Sequence, residues 1–301
     1  MASERSSGAR VTIRGVPHYY EWVTHTEGES NKPVLVFLHG WGGSARYWRP
    51  TAAALADRFD CLLYDLRGFG RSPLPAAPSQ ALPGYALEDY VQDLAELLDA
   101  LGLERAFING HSTGASVALL FAHHYPERVE RTILTCSGIF PYNRWAFSAF
   151  HWAGRNIVRL RFNWFRRVPG MDRLFMARFL QRPIPAAERR AFLEDYLAAN
   201  TEAAAGTIRT AVSRHAAQVM PQAFAGLRVP TLLVSGEKDI IIPNWMGRRA
   251  AALNEGVTHC ELPQTAHFPM LEDAPRYLEQ VRVFLGLAPP AVTEGAAARR
   301  E

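Results

Sequence analysis

Ala106-Phe107-Ile108-Asn109 runs directly into Gly110-His111-Ser112-Thr113-Gly114, and residues 115–121 that follow are almost wholly apolar. An apolar run, then G-x-S-x-G, then a second apolar run asks for a strand that ends in a tight turn and re-enters as a buried helix. Glycines at 110 and 114 leave space for neighbouring backbone to pass close to the turn. Ser112 would then sit at its apex with the hydroxyl projecting above a sheet. Three common residues at this spacing also arise by chance. The strand before and the helix after set this case apart from a serine that merely caps a helix.

Working outward, short apolar runs rich in β-branched residues at 34–38, 61–64, 107–108, 132–134, 231–234 and 258–262 alternate with helical patterns. That alternation predicts an α/β fold with a mostly parallel, eight-stranded sheet and helices on both faces. Two of the eight strands are an antiparallel edge hairpin over 10–14 and 19–24, split by Gly15 and Pro17. Tyr85, Leu87, Val91, Leu94, Leu97 and Leu98 recur at helical spacing, with Gly102 where the helix should stop. The alternation ends after Gly138. Residues 138–222 show helical patterns broken at Pro169-Gly170 and at Pro183 and Pro185, which predicts a helical insertion between core segments 1–137 and 223–288. Residues 289–301, rich in Ala, Pro, Glu and Arg, have little to pack and are expected to be disordered.

A serine hydroxyl is a poor nucleophile until a base takes its proton, and the base needs an acid to hold its tautomer. Downstream candidates follow in the order acid, then histidine. Asp239 lies just past the strand at 231–234, and His267 lies in the loop after the strand at 258–262. Parallel strands gather their C-terminal ends on one rim, so both should share that rim with Ser112. Glu237 is the alternative acid, but it is nearer the strand end and has less reach. His259 reads as a strand residue, and His123, His124, His151 and His215 as helix residues. His111 either lines the pocket or supports the turn. The oxyanion formed in acyl transfer needs aligned N–H donors. Thr113 supplies one by position, and Trp41, in the loop His39-Gly40-Trp41-Gly42-Gly43, is the choice for the second. A glycine-rich loop can also hold phosphate, but no Walker lysine follows and no G-x-G-x-x-G is present.

Composition narrows the field. The chain has 301 residues, 48% hydrophobic and 21% charged, enough for an ordinary core. A net charge of +4 without a nucleic-acid motif argues against a nucleic-acid partner. Cys61, Cys136 and Cys260 are widely spaced and odd in number, so buried inert thiols are expected rather than disulfides or a zinc knuckle. No apolar leader or spanning run is visible, so a cytoplasmic location is expected.

Taken together, the 39–43 loop, Tyr64-Asp65-Leu66-Arg67-Gly68-Phe69-Gly70-Arg71-Ser72, the Ser112 turn, the segment from Gly236 to Asp239 with Pro243, and His267-Phe268-Pro269 with Glu272 and Pro275 resemble the α/β-hydrolase-fold superfamily. The resemblance is to its capped, epoxide-hydrolase-like and haloperoxidase-like branch. It spans about residues 34–285 and is far more specific for fold than for substrate. It implies a helical cap over the active site and no metal or organic cofactor. It also implies that Asp65 to Ser72 is a structural loop, with an internal Asp65–Arg67 ion pair. Epoxide hydrolases and haloalkane dehalogenases of the branch use aspartate at the turn. Ser112 therefore favours cleavage of an ester or thioester through an acyl-enzyme. The alternatives are C–C bond hydrolysis of diketone-like substrates, cofactor-free perhydrolysis, and a non-catalytic ligand-binding module. Asn often precedes the nucleophile in the C–C hydrolases of this branch, where this chain has His111.

The insertion's first half interleaves aromatics, among them Trp145, Trp152, Trp164 and Phe165, with eight arginines from Arg144 to Arg178, and Asp172 is the only acid in that stretch. One reading packs the aromatics on the core and solvates the arginines outside. The other has an aromatic-lined pocket, with Trp145, His111 and Phe268 as lining candidates, under a basic face. Such a face would meet an acyl carrier protein, a phosphorylated acyl carrier or an acidic membrane surface.

Overall fold

The computed structural model describes residues 5–25, 31–76 and 81–287. The expected tail at 289–301 lies outside the described residues.

Eight strands form one sheet: β1 (Arg5–Ile13), β2 (Val16–Thr24), β3 (Val34–Leu38), β4 (Asp60–Tyr64), β5 (Ala106–His111), β6 (Val129–Thr135), β7 (Thr231–Gly236) and β8 (Val257–Leu262). Their order is β1-β2-β4-β3-β5-β6-β7-β8. β1 and β2 pair antiparallel, β2 joins β4 antiparallel, and every other pairing is parallel. The edge hairpin turns at Arg14 and Gly15, both with positive φ. Pro17 belongs to β2, opposite Thr12 and ahead of the first β4 pairing at Tyr20, so its missing N–H costs the β2–β4 ladder nothing.

The helices are α1 (Arg49–Ala53), α2 (Leu87–Ala100), α3 (Thr113–His124), α4 (Arg144–Arg159), α5 (Met171–Met176), α6 (Ala186–Ala198), α7 (Thr201–Ala211), α8 (Arg214–Ala225), α9 (Asn244–Ala251), α10 (Pro269–Glu272) and α11 (Ala274–Phe284). The period-2 alternation of β3 divides the core. Val36 and Leu38 pack with α2, α3 and α8 on one face, and Leu35 and Phe37 pack with Trp48, Tyr277 and Val281 on the other. Helices α4 to α8 all fall between β6 and β7.

The loop after β4 differs from the expectation. Arg67 does not pair with Asp65. It is fully buried and reaches Asp93 of α2 at 2.7 Å, under the rings of Tyr85 and Tyr90. Asp65 instead holds Arg71 at 2.7 Å and accepts from the Ala45 amide. The cause is the chain reversal at Gly68 and Gly70, φ +83° and +52°, which folds Arg71 back over Asp65 while Arg67 turns towards α2.

Candidate active site

Ser112 joins β5 to α3 with φ 52° and ψ −116°, a conformation that costs an L-residue strain and is held by its surroundings. Its amide donates to the Thr135 carbonyl at 2.9 Å. The flanking glycines are required by contact. A Cβ on Gly114 would lie 2.5 Å from the His39 carbonyl oxygen, and one on Gly110 would lie 2.4 Å from that of Gly114. Strand β3 and helix α3 can therefore close on the turn only because both positions are bare.

The two rim residues meet. His267 Nδ1 lies 2.7 Å from Asp239 Oδ2, and both are buried. The other Asp239 oxygen accepts from the amides of Ile241 and Ile242 at 2.8 and 3.0 Å, which fixes the carboxylate. Burial pushes the Asp239 pKa up, but His267 and the two amides outweigh it and hold the carboxyl below its ordinary value. An ionised Asp239 requires the proton on Nδ1, leaving Nε2 as the basic nitrogen. Glu237 faces the other way, towards Lys238 and the Gln264 amide. His259 bonds Ser235 within the sheet.

His111 both borders the cavity and supports the turn. Its Nε2 lies 2.7 Å from the His267 carbonyl, and its Nδ1 lies 2.8 Å from the Tyr47 hydroxyl. A carbonyl only accepts, so Nε2 carries the proton and Nδ1 accepts from Tyr47. The Tyr47 oxygen in turn takes the Gly40 amide at 2.6 Å. One chain of hydrogen bonds thus ties the 39–43 loop, the Ser112 turn and the His267 loop together. Burial drives the His111 pKa well below the ordinary histidine value, which keeps this tautomer neutral.

Trp41 and Thr113 flank Ser112 in the lining of one cavity. Neither backbone amide has a hydrogen-bond partner among the described residues. The Trp41 indole is anchored away from the site, donating to the Ala204 carbonyl at 3.0 Å. The cavity, about 230 Å³, also takes in His267, and its wall is mostly apolar. Phe268 belongs to the wall and packs on His111 at 4.8 Å. Trp145 does not. It is 79% exposed, because α4 turns Phe150, Ala153, Gly154 and Ile157 inward and Trp145 sits on the opposite face.

His111, Cys136 and His267 bring their donor atoms within 4.8 Å of one another, a spacing that invites a metal reading. The chemistry opposes it. Both His111 nitrogens are engaged, and the Cys136 thiol points at the Ala266 carbonyl oxygen 3.8 Å away; burial raises its pKa well above the ordinary value. Cys61 is raised likewise.

Residues 33–274 match the family model for the alpha/beta hydrolase fold. The chain belongs to that family. An uncharacterized protein of Mycobacterium tuberculosis is 28% identical over 278 residues, 89% of this chain and 79% of that one. A putative carbamate hydrolase RutD of Pseudomonas savastanoi pv. phaseolicola is 32% identical over 227 residues, covering 73% of this chain and 80% of its own. Among solved structures, a hydrolase from Pseudomonas aeruginosa PA01 superposes with a TM-score of 0.75 at 25% identity, covering 93% of this chain and 98% of that one. Family membership makes this chain a hydrolase-fold protein in which hydrolytic activity is the expected chemistry.

Three contributors to this candidate site carried no role in the sequence reading. Tyr47 lies four residues past the 39–43 loop but outside its pattern, with no signal beyond an aromatic pair with Trp48. Glu272 was visible only through the family resemblance. Its Oε2 accepts from Gln181 and Arg182 at 2.7 and 2.8 Å, and its Oε1 from Ala266 and Phe268 at 2.9 and 3.2 Å. With the His267 amide on the Phe179 carbonyl, it bolts the His267 loop to the segment after α5. Arg178, its guanidinium 4.8 Å from the Phe179 ring centre, brings a cation to the cavity wall.

Proposed function

We propose that the chain is a serine hydrolase that cleaves a carboxylic ester or thioester with an apolar acyl group through an acyl-enzyme. The observation that carries this reading is the Asp239–His267 pair, 2.7 Å apart, opening on the same apolar cavity as the strained Ser112. His267 Nε2 takes the Ser112 proton as Oγ attacks the carbonyl carbon. The Trp41 and Thr113 amides receive the oxyanion, and the leaving oxygen or sulfur departs with the proton held on His267. Water then repeats the sequence in reverse. His267 takes its proton, the acid leaves, and Ser112 is re-protonated. Residues 138–222 act as the cap in this reading, because Phe150 and Ile157 of α4 and Ile208 of α7 wall the cavity.

The test is labelling by a fluorophosphonate probe, with mass spectrometry of the modified peptide and Ser112→Ala and His267→Ala as controls. Labelling at Ser112 that both changes abolish supports the acyl-enzyme, and a folded wild type that does not label overturns it. A preference for acetyl esters over longer acyl or aromatic esters would remove the apolar-acyl assignment.

A further inference from the structure

Helix α4 carries two faces of opposite purpose. Phe150, Ala153, Gly154 and Ile157 line the cavity. On the far side, Trp145 and Trp152, two turns apart, are 79% and 64% exposed, and Arg155 and Arg159 lie exposed on that same face. The aromatic exposure continues past the helix end. Leu160, Phe162 and Trp164 are all exposed, and Phe162 stacks on Trp164 at 6.2 Å rather than on the core. Large apolar side chains grouped in this way mark an interaction surface rather than ordinary solvent-facing scatter.

The charges beside them are of one sign and unpaired. Asp172, the single acid from Arg144 to Arg178, is engaged by Arg189 at 2.9 Å. Among the described residues no carboxylate pairs with Arg144, Arg155, Arg159, Arg166, Arg167 or Arg173. Arginines alone would suit any anionic partner. Exposed tryptophans, phenylalanine and leucine among those arginines fit a surface with phosphates outside and acyl chains just beneath. No helix among the described residues is long and apolar enough to cross a membrane, and tryptophans with arginines along one helix face are the side chains that suit the plane of a bilayer interface.

We propose that the outer face of α4, with the turn at 160–167, docks on the surface of an anionic lipid bilayer. The two tryptophans sit at the acyl boundary and the arginines on the lipid phosphates. The inner face of the same helix stays on the cavity, and Phe150, 45% exposed at its rim, joins the two surfaces. This docking rests on the surface alone and is independent of the reaction assigned to Ser112.

The full chain is mixed with vesicles of phosphatidylcholine alone, or of phosphatidylcholine with phosphatidylglycerol carrying brominated acyl chains, and followed by sedimentation and tryptophan fluorescence. Binding to the anionic vesicles only, with quenching by bromine, is expected. Arg155→Glu with Arg159→Glu should weaken partitioning at least about ten-fold. Trp145→Ala with Trp152→Ala should lose most of the quenching. Both pairs lie outside the cavity and should leave hydrolysis of a small soluble ester unchanged. No binding to anionic vesicles overturns the proposal, as does equal binding by wild type and both variants. Binding abolished by salt without any bromine quenching also overturns it, and would point to an acidic carrier protein.

Discussion

Replacing Glu272 separates the positioning of His267 from the stability of the fold. Its carboxylate is buried and accepts four backbone amides, two from the His267 loop and two from the segment after α5. Hydrogen bonds to a charged acceptor contribute about 1.5–3 kcal/mol each, and four bonds sharing two oxygens are not additive. Glu272→Ala, which strands all four amides, should cost about 4 kcal/mol, a large part of the stability of an ordinary domain. Glu272→Gln keeps one oxygen and turns an NH2 towards the other pair of donors, so about 2 kcal/mol is expected. The loss should reach the chemistry. A displacement of His267 by about 1 Å reduces rate roughly 100-fold, and the fluorophosphonate labelling rate of Glu272→Gln should fall by that order while the protein stays folded. Urea unfolding gives the first quantity and labelling kinetics the second. If Glu272→Gln lost stability but labelled at the wild-type rate, Glu272 would serve the fold alone and the positioning argument would be refuted.

Other changes test separate links. Gly114→Ala places a methyl 2.5 Å from the His39 carbonyl oxygen, which is backbone and cannot give way. It should destabilise by about 3 kcal/mol or more and abolish labelling, and a wild-type urea midpoint would show the turn to be looser than described. Asp239→Asn keeps the shape but frees the His267 tautomer, so turnover should fall about 10⁴-fold, and a drop below ten-fold would mean that another group orients His267. Acid sensitivity follows from histidines buried in the neutral form. Burial, with Arg67 and Arg14 nearby, lowers the His18 pKa to about 3, and burial also lowers those of His39 and His111. Below about pH 6.5 the unfolded chain takes up protons that the folded chain refuses, so stability falls as pH drops from there towards His18's folded value. At about pH 5 the His18 share alone is about 2 kcal/mol, and His18→Asn should flatten that part of the curve. Asp239 acts in a lower window, its depressed pKa contributing stability that is lost only as pH falls below about 3.9. A stability flat from about pH 7 to 4 would contradict the burial of these rings.

Local sequence patterns determine much of this protein. The alternation of apolar runs sets the parallel sheet, because strand and helix periods are properties of short windows. Gly110 and Gly114 mark the turn, because only glycine survives at backbone approaches of this kind. The C-terminal ends of β7 and β8 carry Asp239 and His267 to one rim, because a parallel sheet leaves no other place for them. What the sequence did not determine was direction and partnership across the fold. Arg67 and Arg71 are four residues apart and both can reach a carboxylate, and only the reversal at Gly68 and Gly70 sends one to Asp93 and the other to Asp65. Trp145 and Phe150 lie on one aromatic-rich helix, but the phase of that helix against α7 decides which of them meets the cavity. Tyr47 and Glu272 act through bonds to residues 64 and 91 positions away, such as His111 and Gln181, and no local pattern encodes a contact that long-range packing alone creates.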